Sequence, residues 1–141
     1  VVDAYKGNVA WVYRHFPLDG LHSKARKEAE ASECAAELGG NDKFWAYIDR
    51  IYELTPSNNG LDLALLPKIA EESGLNKAKF EECLSSGRTA ARVAKDSSDA
   101  VASGGQGTPY SVIIAKDGKT YPVGGALPYE SIKAALDQLI K

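Results

Sequence analysis

The chain has 141 residues, 44% of them hydrophobic and 26% charged, which is typical of one folded globular domain and excludes a disordered or collagen-like chain. A formal charge of -2 offers no net attraction to a phosphate backbone, so we expect no nucleic-acid partner. No stretch reaches the roughly 18 consecutive apolar residues that a membrane span needs.

The first residues are typical of the end of a helix. Apolar residues recur at helical spacing within Val1–Tyr5, and Lys6 and Gly7 supply a basic last turn and a closing left-handed residue. Because the chain also contains no Met, we expect that a segment preceding these residues belongs to the same protein. Val9–Phe16 is rich in aromatic and β-branched residues and ends at Pro17, which predicts a strand.

Two helices are predicted next. Small residues share one stripe between His22 and Leu38, which predicts a closely packed helix that stops at Gly39–Gly40. Asn41 can cap a second helix that continues to Thr55–Pro56. The bulky side chains of this second helix fall on one face, which predicts that they pack in the core: Phe44, Trp45, Ile48, Ile51 and Tyr52.

Three further helices follow before the pattern changes. Pro67 suits the first turn of a short helix that ends at Gly74, and Asn76 can cap a helix that Gly87 closes. Apolar residues at helical spacing from Ala90 onward predict a longer helix ending at a glycine pair.

The last part of the chain predicts an antiparallel hairpin and a helix. After Pro109 the apolar period becomes two, so Tyr110–Ala115 and Lys119–Val123 are predicted strands around a tight turn at Asp117–Gly118. A final amphipathic helix begins near Pro128.

Taken in order, these residues resemble bacterial DsbA-type thiol:disulfide oxidoreductases over nearly the whole chain. The likeness rests on an ordered set: Trp11–Leu18 (WVYRHFPL), His22, Ala25, Glu33–Ala35, Phe44–Trp45, Gly74–Leu75, Phe80, Cys83–Leu84, Ser86–Gly87, Gly107–Pro109 and Val123–Ala126. The resemblance implies an α/β fold, in which a thioredoxin-like sheet is interrupted by an inserted helical domain. It places residues 1–21 and 105–141 in the thioredoxin-like part and residues 22–104 in the insertion.

The sequence departs from that family at the site of its chemistry. Family members carry N-terminal strands and a Cys-x-x-Cys motif at a helix N-terminus, and neither is present in these 141 residues. The resemblance implies that Val1–Tyr5 is the end of the active-site helix. We therefore expect a fragment with no catalytic residue of its own, which is inactive in thiol exchange by itself although the parent protein is an enzyme.

This departure leaves a gap in the expected sheet. In the family, the strand that leads to the cysteine pair lies between the strand at Val9–Phe16 and the hairpin. Unpaired buried backbone groups cost about 1 to 3 kcal/mol each, so we expect the gap to be filled. An upstream segment, a strand from a second copy, or direct pairing of Val9–Phe16 with Tyr110–Ala115 would each fill it.

Thr108 and Pro109 are the predicted substrate-contact residues. The resemblance implies a cis proline at Pro109, preceded by a residue whose backbone hydrogen-bonds an extended substrate. Without the resemblance, a trans proline at the start of a strand would be expected, since only about 5 to 6% of X-Pro bonds are cis.

The two cysteines, Cys34 and Cys83, lie 49 positions apart on apolar helical faces. A structural disulfide between them is favoured, and the alternative is two buried free thiols that pack as small hydrophobic groups. Together with His15 and His22 they show no metal-ligand spacing, so no metal site is expected. No nucleophile motif accompanies either histidine, so catalysis by them is not expected.

The resulting hypothesis is an exported bacterial DsbA-like oxidoreductase, periplasmic or otherwise extracytoplasmic, that needs no cofactor. Its expected partners are extended peptides or unfolded proteins, a membrane redox partner, and a strand-completing partner or second copy. Two alternatives remain at this point. One is a non-catalytic thioredoxin-like module that binds peptides by backbone pairing, and the other is a glutathione-dependent isomerase or transferase of the same superfamily.

Overall fold

The structure is a computed structural model that describes residues 1–140. The chain folds as two compact units, one formed by Val1–Phe16 with Ser98–Lys141 and the other by Pro17–Ser97. The predicted limits of the helical insertion, residues 22–104, remain a prediction. The elements in chain order are α1 (Ala25–Leu54), α2 (Leu66–Glu72), α3 (Lys77–Ser86), α4 (Ala90–Ala102), β1 (Tyr110–Ile114), β2 (Thr120–Gly124) and α5 (Tyr129–Leu139).

Glycine and capping residues set the limits of the helices in the second unit. Gly40 interrupts α1 at φ 72° and ψ -165°, where the sequence predicted that one helix stops and another begins. Asn76 accepts a hydrogen bond from the amide of Lys79 at 3.0 Å, and Gly87 closes α3 in the left-handed conformation. Pro67 lies in the first turn of α2, as predicted.

The core of the second unit forms where small residues of α1 meet large side chains. Tyr47 and Phe80 are fully buried, their ring centroids lie 5.3 Å apart, and the Tyr47 hydroxyl donates to the carbonyl of Leu66 at 3.2 Å. The prediction that the second half of α1 packs one face in the core is confirmed at Phe44, Ile48 and Ile51. On the same predicted face, Trp45 is half-buried and Tyr52 is 67% exposed. The core consists of Ala31, Cys34, Ala35, Tyr47, Ile51, Leu61, Leu66, Ile69, Ala70, Leu75, Phe80 and Cys83.

Cys34 of α1 and Cys83 of α3 form a disulfide inside this core. Their Cα atoms lie 5.9 Å apart, and neither residue is exposed to solvent. The sequence left free thiols open as an alternative, and the structure contains the bridge. It links two helices across 49 positions of the chain.

Reduction of this bridge is expected to lower the stability of the second unit. Closing a loop of this length removes entropy from the unfolded chain worth about 4 kcal/mol in the chain-entropy treatment. We therefore expect the urea midpoint of the oxidised chain to fall markedly on reduction, and the Cys34→Ala, Cys83→Ala double variant to match the reduced protein. Equal midpoints for the oxidised and reduced chains would contradict this role.

Glu28 carries a partly buried charge in the same unit. One of its carboxylate oxygens is buried without a hydrogen-bond partner among residues 1–140. Burial raises the pKa of Glu28, while the nearby charges of Lys24 and His22 act in the opposite direction. Burial likewise raises the pKa of the Tyr47 hydroxyl far above its usual range, and the Glu28 charge adds to that shift.

A pH dependence of unfolding follows from Glu28. Its pKa is higher in the folded than in the unfolded state, so its contribution to stability is present below the unfolded pKa and is lost as pH rises through the folded pKa. Glu28→Gln is therefore expected to be more stable than the wild type at pH 7 and equal to it near pH 3. Urea unfolding at both values measures this, with the exposed Glu81→Gln of α3 as control. A destabilised Glu28→Gln at pH 7 would contradict the expectation.

The first unit contains the predicted hairpin. β1 and β2 pair antiparallel, with Tyr110 opposite Gly124 and Ile114 opposite Thr120. The turn uses Gly118 at φ 80°, and Asp117 accepts a hydrogen bond from the amide of Lys119 at 3.1 Å. The predicted strands and turn are confirmed to within a residue at each end.

The prediction of a strand at Val9–Phe16 is wrong within residues 1–140. This segment forms no strand, and β1 and β2 make a two-stranded sheet. Direct pairing of Val9–Phe16 with Tyr110–Ala115, one of the three expected ways to fill the gap, is therefore also wrong. The physical reason is that a strand exists only through its hydrogen-bonded neighbour, and composition alone does not supply one. Trp11 and Val12 are 56% and 76% exposed.

The two ends of the first unit are tied by side-chain contacts. Val2–Tyr5 forms a 3-10 turn, closed by Lys6 in the left-handed conformation, where the sequence predicted a helix end. The Tyr5 hydroxyl donates to the Lys133 carbonyl at 3.1 Å and to the Asp137 carboxylate at 2.9 Å. Among the described residues, no helix has the length and apolar character that a membrane crossing requires.

Candidate functional site

The loop from Gly104 to Pro109 connects α4 to β1 and carries both predicted substrate-contact residues. It begins with a tight helix end: the amide of Gly104 donates to the carbonyl of Val101 at 3.0 Å, and the amide of Gly105 donates to that of Ala100 at 2.9 Å. This pair of bonds is a Schellman motif, and it needs the left-handed residue that Gly104 provides at φ 93°. The two glycines thus turn the chain sharply away from the helix.

Thr108 and Pro109 lie exposed at the far end of this loop. The peptide bond between them is cis. The Pro109 carbonyl accepts a hydrogen bond from the Gly125 amide at 2.9 Å, which ties the loop to the residue that follows β2. The backbone amide and carbonyl of Thr108 make no hydrogen bond with any residue from 1 to 140. Both groups are therefore available to an extended ligand.

The loop leads into an open sheet edge. The amide of Ala115 donates to the carbonyl of Lys119 at 2.9 Å, so the odd-numbered residues of β1 face β2. The backbone groups of the even-numbered residues consequently point away from β2, and no strand within residues 1–140 pairs with them: Tyr110, Val112 and Ile114. This edge follows Thr108 directly in the chain.

The opposite edge of the hairpin is less suited to adding a strand. Pro122 stands opposite Val112 at a position whose amide would point outward from β2. Proline has no amide hydrogen, so the centre of that outer edge offers no donor. Of the two hairpin edges, that of β1 has the complete row of donors and acceptors.

The cysteines offer no reactive thiol in the folded chain. The sequence contains two cysteines, and both are in the buried Cys34–Cys83 bridge. Thiol exchange requires an accessible thiolate of lowered pKa with a resolving thiol beside it. The bridge therefore serves as a support of the helical core.

The histidines lie in different units. His15 is buried in the first unit, and its ring packs edge-on against Tyr13 with centroids 5.3 Å apart. His22 precedes α1 in the second unit, and its Nδ1 atom is buried without a hydrogen-bond partner among the described residues. The expectation that neither is catalytic stays a prediction.

Tyr110 shapes the loop and was not among the site residues predicted from the sequence. The hydroxyl of Tyr110 donates to the carbonyl of Ser103, so the first side chain of β1 folds back over the start of the loop. Alternating polarity places Tyr110 in a strand and does not reveal where its hydroxyl bonds. Gly104 and Gly105 indicated that something packs closely against the loop, but they did not indicate that Tyr110 is the residue that does so.

A hairpin with an exposed Gly-Thr-Pro loop ahead of it, together with a disulfide-linked helical unit, defines the class of thioredoxin-like proteins with a helical insertion. The model of the family described as Thioredoxin matches residues 1–138. The chain belongs to this family, and within it the chain is DsbA-like. The crystal structure of Pseudomonas aeruginosa DsbA2 is similar to it with a TM-score of 0.74 and 28% identity, covering 91% of this chain and 70% of that one.

Two curated relatives show where related segments occur. The chain is 37% identical over 106 residues to the Na(+)/H(+) antiporter NhaA 3 of Salinispora tropica and 36% identical over 106 residues to NhaA 1 of Salinispora arenicola. Each match covers 72% of this chain and 15% of the antiporter. The chain thus spans about 15% of the length of these relatives.

Proposed function

We propose that the protein is a DsbA-type thiol:disulfide oxidoreductase that forms or exchanges disulfides in exported proteins. In this proposal the Thr108–Pro109 loop holds the substrate, and the reactive cysteine pair belongs to a part of the protein outside these 141 residues. The observation that carries the proposal is the exposed Thr108, whose backbone amide and carbonyl make no hydrogen bond within residues 1–140.

Backbone pairing suits the substrates of such an enzyme. An extended peptide that pairs with the Thr108 amide and carbonyl is bound through main-chain groups, which every sequence provides. An unfolded protein with an unpaired or wrongly paired cysteine has such segments exposed. The loop can therefore bind many substrates without selecting one side chain.

The chemistry balances without a cofactor. A substrate dithiol gives two electrons and two protons to the enzyme disulfide, and the enzyme becomes a dithiol while the substrate gains a disulfide. The reduced enzyme then passes the electrons to a partner, for which a membrane redox protein is proposed. The buried Cys34–Cys83 bridge is compatible with a periplasmic or other extracytoplasmic location, because structural disulfides persist in oxidising compartments.

The test uses the full-length protein purified from its native source, a fluorescent peptide with two reduced cysteines, and oxidised glutathione as the acceptor that reoxidises the enzyme. We expect oxidation of the peptide with saturation kinetics. N-methylation of the peptide amide that donates to the Thr108 carbonyl is expected to raise KM about twofold to tenfold, because one lost hydrogen bond contributes about 0.5–1.5 kcal/mol. The control is the same peptide methylated at the next amide along, which points away from Thr108.

Thr108→Ala provides the matched protein variant. It removes a side chain and keeps the backbone groups, so KM is expected to stay within about twofold of the wild type. Absence of both oxidation and disulfide exchange of peptide thiols by the full-length protein would overturn the proposed enzyme. Equal KM values for the two methylated peptides would overturn the proposed binding mode.

A second candidate function is supported by the similarity to the antiporters. Each related segment covers 15% of a much longer protein, as expected of an accessory domain. The candidate is a non-catalytic peptide-binding module that acts within or beside an ion transporter. Full-length protein that binds the peptide and does not oxidise it would favour this candidate.

A further inference from the structure

The substrate loop is closed at its base by a side chain from the strand that follows it. Tyr110 is the first residue of β1, and its hydroxyl donates to the carbonyl of Ser103, just after α4. The residues between these two partners, Gly104–Pro109, are thereby held as a loop of fixed span. The Pro109 carbonyl is fixed separately by the Gly125 amide at 2.9 Å.

Gly105 leaves the space that this arrangement requires. It is buried, and a Cβ atom there would lie 2.9 Å from the Ala100 carbonyl oxygen, 3.0 Å from Cδ1 of Tyr110 and 3.3 Å from Cε1 of Phe16. The Ala100 carbonyl cannot simply move away, because it accepts the Gly105 amide. Any side chain at this position would push either against the helix end or against the Tyr110 ring.

We propose that Tyr110 and Gly105 are positioning residues for the substrate loop. The ring of Tyr110 fills the space beside Gly105, and its hydroxyl sets the distance between the end of α4 and the start of β1. Neither residue needs to touch substrate. Together they hold the Thr108 amide and carbonyl in place, and this inference rests on the proposed function of that loop.

The physical effect is preorganisation. A loop that is already fixed loses less conformational entropy when a peptide binds, so the affinity is higher for the same contacts. Loss of the Tyr110 hydroxyl should therefore weaken peptide binding without changing the thiol chemistry. It should also increase the opening of the loop in the free protein.

Tyr110→Phe in the full-length protein tests this inference. We expect KM for the dithiol peptide to rise between about twofold and tenfold, as for loss of one hydrogen bond, with kcat unchanged. The rate with dithiothreitol, which is too small to pair with a strand, should remain that of the wild type. Amide hydrogen exchange at Gly105 and Gly125, whose amides donate to the Ala100 and Pro109 carbonyls at the two ends of the loop, should be faster.

Tyr121→Phe is the matched control. Tyr121 lies on β2 and is 39% exposed, and the substitution removes the same hydroxyl at a distance from the loop in sequence. We expect wild-type KM and wild-type exchange at Gly105 and Gly125. Gly105→Ala should raise KM as Tyr110→Phe does, because it displaces the same loop from the other side.

The outcomes separate this inference from the proposed function. If the wild type oxidises the peptide and Tyr110→Phe has the same KM and the same amide exchange, the positioning role is overturned. If the wild type does not oxidise or exchange any peptide thiol, the proposed function itself fails. A rise in KM shared equally by Tyr110→Phe and Tyr121→Phe would also overturn the positioning role.

Discussion

The covalent link between Cys34 and Cys83 is the constraint on which the second unit depends. It joins α1 to α3 at the centre of the core, where Ala31 and Ala35 let the helices approach closely and Phe80 fills the remaining space. The same link occupies both sulfur atoms of the sequence in a place that solvent does not reach. The bridge thus supports the fold, and neither cysteine offers a free, exposed thiol for exchange chemistry.

The first unit offers a different kind of feature. In the proposed function its binding groups are the main-chain amide and carbonyl of Thr108, which make no hydrogen bond within residues 1–140. Main-chain recognition is tolerant of sequence, whereas thiol exchange is specific for cysteine. In the proposed enzyme the loop would supply the tolerant part of recognition and a separate cysteine pair would supply the selective chemistry.

Much of this fold is predictable from local chemistry. The cap at Asn76, the stop at Gly87, the interruption at Gly40 and the turn at Asp117–Gly118 each follow from what one or two residues can do with their own backbone. Non-local features are harder to predict. Val9–Phe16 has the composition of a strand, but no strand within residues 1–140 pairs with its backbone, and strand pairing depends on residues far away in sequence.

The site was only partly predictable for the same reason. The resemblance pointed to Thr108 and Pro109, and helical spacing placed each cysteine on an apolar face. The bond from Tyr110 to Ser103 depends on where α4 ends relative to β1, which no pattern in the sequence encodes. The exposed Tyr52 shows a related limit, because helical spacing places it on the predicted core face but does not reveal how far the core extends along the helix.

The most direct test of the account is to trap the full-length protein during turnover and map its cysteines. Acid quenching, alkylation and mass spectrometry identify which sulfur carries the mixed disulfide with a substrate peptide. The account predicts that Cys34 and Cys83 remain bridged and unlabelled while the substrate is linked to a different cysteine. A substrate peptide linked to Cys34 or Cys83 would contradict it.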